Sequence, residues 1–85
     1  MRMKVNENVE IVRNIMFNHM LETTPEDSIF VNPMSDGFDM YVDKGFWYFV
    51  CEFDGANNTC VLADGIHDAR RLVMQLRLLG FKVKR

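Results

Sequence analysis

Apolar residues recur every three or four positions at Val5, Val9, Val12, Met16 and Met20, and Ile11 and Ile15 widen the stripe. That spacing predicts an amphipathic helix over about residues 6–21. Asn6 or Asn8 can cap it, because a short side-chain oxygen accepts from the free amides of the first turn. Glu7 and Glu10 sit where the positive end of the helix dipole favours them. "ETTPED" breaks the pattern, and Thr24 before Pro25 predicts a short helical turn.

The period then falls to two. "SIFVN" is a short candidate strand, ended by the turn-forming "NPMSDG". "FDMYVD" sets Phe38, Met40 and Val42 on one face and Asp39, Tyr41 and Asp43 on the other, as a half-buried strand does. "DKG" predicts a tight turn in which Gly45 can take positive φ. "GFWYFVCEFD" follows as a middle strand, and after "DGANN" comes "TCVLA". Asp64 predicts the cap of a second helix over about residues 65–79, with Ile66, Ala69, Leu72, Val73, Leu76 and Leu79 as its stripe and Gly80 as its stop. "FKVKR" alternates again and can add an edge strand.

These elements predict one α+β domain. Its two layers are an antiparallel meander of three to four strands and two amphipathic helices, in the order α-β-β-β-α with room for a final short β. Two helices cover one face of a sheet more readily than two. The middle strand, however, is apolar on both: one face would carry Trp47, Phe49, Cys51 and Phe53, the other Phe46, Tyr48, Val50 and Glu52. The second set ends in a charge and includes a tyrosine, which marks it as the outer face. An exposed patch of that size signals an interface. The alternative is a helix on each face, with everything buried.

Composition narrows the class. Eighty-five residues with 48% hydrophobic and 26% charged content suit one globular core. No apolar run reaches the roughly 20 residues of a membrane span. The first residues lack the apolar stretch of a signal peptide, so a cytoplasmic protein without membrane insertion is expected. Cys51 and Cys60 then read as reduced core residues, with a cross-strand disulfide as the less favoured option.

The net charge of −2 conceals a segregation. Ten acids lie between Glu22 and Asp68 against Lys44 alone, whereas Ala69–Arg85 holds six basic residues and no acid.

Two partner readings follow. In the first, Tyr41, Phe46, Tyr48 and Val50 anchor a protein partner while Asp39, Asp43 and Glu52 steer a basic surface onto them. The chain would then be a small non-enzymatic regulator or inhibitor, with a homodimer as corollary; its Asn-, Met- and Phe-rich composition resembles that of small phage-encoded inhibitors, which implies such a source. In the second, Arg70, Arg71, Arg77, Lys82, Lys84 and Arg85 contact nucleic-acid phosphates. The element order is similar to that of the double-stranded RNA-binding domain. That family opens its last helix with a lysine-rich motif, whereas "ADGIHDARR" carries Asp64 and Asp68, so only the order is shared.

No metal or catalytic residue is assigned, and no cofactor is expected. His19, His67, Cys51 and Cys60 lack ligand spacing, and "SDGFDMYVD" lacks the closing glutamate of a calcium loop. His67 lies near Asp64 and Asp68 in sequence, but nothing sets a nucleophile beside it.

Overall fold

The computed structural model describes residues 6–85, so Val5 of the predicted helix stripe lies outside the described residues. In chain order it contains α1 (Glu7–Leu21), a 3-10 turn (Glu26–Ser28), β1 (Ile29–Met34), β2 (Gly37–Asp43), β3 (Trp47–Asp54), β4 (Thr59–Leu62), α2 (Ala69–Leu78) and β5 (Lys82–Lys84). The fold is α+β, but the sheet is not a purely antiparallel meander of three or four strands. It has five strands in sequential order, β1 to β4 antiparallel and β5 parallel to β4. The direction of β5 follows from its connection: α2 carries the chain back along the sheet, so the next strand starts from the same end as β4.

Two boundaries differ from the sequence expectation for local reasons. β1 runs through Pro33, which an edge strand tolerates because the missing N–H faces no neighbour. The hairpin to β2 is then a two-residue loop, with Met34 opposite Gly37. The second helix starts at Ala69 rather than Gly65, because Gly65 (φ 82°) and Asp68 (φ 53°) both adopt left-handed conformations that no helix continues through.

Asn6 caps α1 by accepting from the Asn8 amide. Its own side-chain amide donates to Asp36 Oδ1 at 3.1 Å and to the Gly55 carbonyl at 3.2 Å, so one residue both starts the helix and fixes it to the sheet end.

A single core joins Val12, Met16 and Met20 of α1 and Leu72, Val73 and Leu76 of α2 to Phe38, Met40, Val42, Cys51, Phe53, Cys60 and Leu62 of the sheet. Both helices therefore cover the same face. The shortest dimension of the molecule, 17 Å, accommodates one helical layer on one sheet and not a layer on each side. Phe53 sits at the centre of the core, 6.2 Å from Phe38 and 5.5 Å from Phe81 between ring centroids. Truncating a phenylalanine so placed costs about 3–5 kcal/mol.

The two helices are also joined to each other. His19 is buried and its Nε2–H donates to the His67 carbonyl at 2.6 Å, while Arg71 approaches Nδ1 at 3.4 Å. The same guanidinium meets the Glu22 carboxylate at 2.5 and 2.7 Å and Asp68 at 2.8 Å.

The β2–β3 ladder leaves no room beside Gly37, where an added Cβ would fall 2.0 Å from the Phe53 carbonyl oxygen. Gly37→Ala is therefore expected to force the strands apart and lower stability by several kcal/mol, read from the urea unfolding midpoint. An unchanged midpoint would contradict this register.

Candidate functional site

The strand register determines what the uncovered face displays. Cys51 pairs with Met40 and Phe49 with Tyr41, so Val50 is an extra residue in β3, a β-bulge. Side-chain alternation restarts there. Beyond the bulge Cys51 and Phe53 point to the helices and Glu52 and Asp54 point away. Before it, Phe49 and Trp47 point away and Tyr48 lies opposite buried Val42.

The expected outer set of Phe46, Tyr48, Val50 and Glu52 is therefore split. Val50 is only 3% exposed and belongs to the core. Tyr48 falls on the helical side near the end of the sheet, where its ring packs 4.4 Å from Phe46 and lies 5.7 Å from the Lys44 ammonium. Phe46 is exposed in the preceding turn. Tyr41, Asp39, Asp43 and Glu52 remain on the uncovered face.

The aromatic residues that join them there are Phe30, Trp47 and Phe49. Phe30 meets Trp47 edge-on at 4.4 Å, and Tyr41 meets Phe49 edge-on at 5.8 Å. Phe30, Trp47 and Phe49 are all exposed, Trp47 by 58%. Sequence reasoning missed Trp47 and Phe49 because it ran a strict period of two through β3, and Phe30 because its place beside Tyr41 depends on the β1–β2 register. No glycine marks the bulge, and the only hint is that Val50 and Cys51 are adjacent and both apolar.

Beside the aromatics stand two carboxylates on neighbouring strands, Asp39 opposite Glu52. Like charges so placed repel each other. Oδ1 of Asp39 is buried and has no hydrogen-bond partner among the described residues, while Oδ2 accepts a long 3.4 Å bond from the Tyr41 hydroxyl. Asp39, and less so Glu52, hold the Tyr41 phenol above its ordinary value of 10.0, because a phenolate beside them would be repelled. Asp43 is occupied locally, accepting from the Gly45 amide at 3.0 Å in the β2–β3 turn.

The basic residues do not form one patch. Arg71 is committed to Glu22 and Asp68. Lys82 and Lys84 face the uncovered side of the sheet, where with Glu52 and Asp54 they border a shallow depression of about 800 Å³. Arg70, Arg77 and Arg85 instead surround a second depression of about 550 Å³, floored by Val73, Met74 and Leu78, on the helical side.

Cys51 and Cys60 are both buried and free. Contact with Cys60 and burial push the Cys51 thiol well up, which leaves it a poor nucleophile. Among the described residues no three His, Cys, Asp or Glu side chains converge as a metal site would require, and no helix is long and apolar enough to cross a membrane. Compared with protein-family models, with curated proteins and with solved structures, the chain matches none.

The Asp39–Tyr41 contact has a direct pH signature. A phenol whose folded value is raised contributes stability that is present below about pH 10 and is lost as pH rises through the folded value. In a Tyr48→Phe background, phenolate absorbance is expected to show Tyr41 titrating above free tyrosine, and Asp39→Asn to bring it back down. An unmoved titration would mean that Asp39 does not face the Tyr41 hydroxyl.

Proposed function

We propose that this chain is a small, non-enzymatic binding protein, a regulator or inhibitor that works through protein–protein contact, and that the uncovered sheet face is its contact surface. The observation that carries the reading is the group of four aromatics, Phe30, Tyr41, Trp47 and Phe49, held on a face that neither helix covers. Rigid rings of this kind supply much contact area at low entropic cost. The carboxylates of Asp39, Asp43 and Glu52 form a polar margin that draws in a basic surface and sets its register. A cytoplasmic setting is part of the proposal, supported by the two free thiols.

A second reading has one observation in its favour. Arg70, Arg77 and Arg85 line one depression without a carboxylate among its lining residues, an arrangement suited to phosphates of a nucleic acid. Its aliphatic floor, in place of aromatic rings on which bases could stack, makes it the weaker of the two.

Paired variants separate the readings. Trp47→Ser with Phe49→Ser should abolish retention of basic proteins on the immobilised chain while lowering stability by about 1–3 kcal/mol, the loss of two edge-on ring pairs, with the fold retained by circular dichroism. Arg70→Glu with Arg77→Glu should leave that retention intact. The reverse pattern, with binding that weakens steeply in salt and competes with nucleic acid, would favour the second reading.

A further inference from the structure

β5 ends the strand order of the sheet, so only the side that faces β4 is paired. The Lys82 amide donates to the Asn58 carbonyl at 2.9 Å, which turns the backbone groups of Lys82 and Lys84 toward β4. Backbone groups of successive residues in a parallel ladder point to opposite sides. The Val83 N–H and C=O therefore point outward, and neither meets a backbone partner among the described residues. Basic side chains flank this open edge from both faces. Lys82 and Lys84 stand on the uncovered side, and Arg70, Arg77 and Arg85 on the helical side. All five are exposed, and among the described residues none takes part in an ion pair.

We propose that the β5 edge takes up an extended acidic segment of another protein as a sixth strand. The site is separate from the aromatic face and does not depend on how that face is read. Val83 supplies the main-chain donor and acceptor, and alternate side chains of the added strand fall on the two faces. On the uncovered side they meet Lys82 and Lys84 one strand spacing away, about 5 Å. On the helical side they meet the aliphatic groups of Met74 and Leu78 between the arginines. The fitting segment alternates carboxylates with aliphatic residues. Glu52 and Asp54 do not oppose it: β3 is three strand spacings from the added strand, about 14 Å, beyond the screening length of about 8 Å at physiological ionic strength.

The chain's own edges do not fit the site. Pairing β5 with β5 of a second copy about Val83 sets Lys82 opposite Lys84, and like charges so placed repel. β1, the other edge, carries no carboxylate between Ile29 and Met34. Lysines on an edge strand deter pairing in general, and here they admit only a strand of opposite sign.

Fluorescence anisotropy of a labelled peptide of alternating glutamate and valine, titrated with the full chain, tests this. Saturable binding is expected, and the Val83 amide should exchange with solvent more slowly when the peptide is bound. Lys82→Glu with Lys84→Glu, both at exposed positions, should weaken binding by about tenfold or more. A peptide N-methylated at alternate residues keeps its charge but cannot pair along the edge, and it should also bind about tenfold more weakly. Failure to saturate at millimolar concentration overturns the proposal. Equal binding of the N-methylated peptide, or an unchanged Val83 exchange rate at saturation, overturns it by reducing the contact to charge alone. Displacement of the peptide by an equal concentration of an oligothymidylate of the same charge overturns it in favour of nucleic acid.

Discussion

Phe49 lies opposite Tyr41 and Cys51 lies opposite Met40, and the one residue left over between them, Val50, decides what this molecule presents to its surroundings. An extra residue in a strand inverts the side-chain alternation on one side of it. Here it lets β3 bury Val50, Cys51 and Phe53 in succession around the core and still turn Phe49 and Trp47 outward. The bulge is stabilised from both sides. Val50 enters the core beneath the helices, and its carbonyl accepts from the Ala63 amide at 2.8 Å just past β4.

The rest of the architecture follows from having two helices and five strands. Asn6 fixes α1 to the sheet end, and the buried His19 and the shared contacts of Arg71 hold α1 and α2 side by side on one face. Nothing in the described chain reaches the other. The exposed ion pairs of Arg71 add little energy individually, on the order of 1 kcal/mol or less, but they orient the helices that build the core. The charge sorting seen in the sequence becomes spatial by the same topology. The crossover through α2 delivers Lys82 and Lys84 to the sheet edge two strands away from Glu52, on the same face. The arginines remain on the helical side.

Much of this was legible in the residues. The start of α1, the alternation of β2, the Ala69, Leu72, Val73 and Leu76 part of the α2 stripe and the turn at Gly45, which has φ 88°, are all local signals that match what the chain forms, whereas Ile66 lies before the helix and Leu79 is exposed. The parallel direction of β5 was not legible, because it depends on where α2 returns the chain. Nor was the start of α2, where two left-handed residues override a plausible cap at Asp64. The candidate surface was half legible. Tyr41, Asp39 and Glu52 follow from the regular parts of β2 and β3, whereas Phe30 depends on the β1–β2 register, and Trp47 and Phe49 on a bulge that no turn residue announces. An irregularity created by packing on both sides of a strand leaves little trace in its own sequence.

Nuclear Overhauser contacts from aromatic and methyl protons report on whether side-chain alternation inverts at Val50. Inversion there gives contacts between the rings of Tyr41 and Phe49 and between those of Phe30 and Trp47, with the Val50 methyls in contact with core side chains of the helical layer. Contacts from Trp47 or Phe49 to methyls of α1, together with a Val50 side chain touching Tyr41, would contradict it.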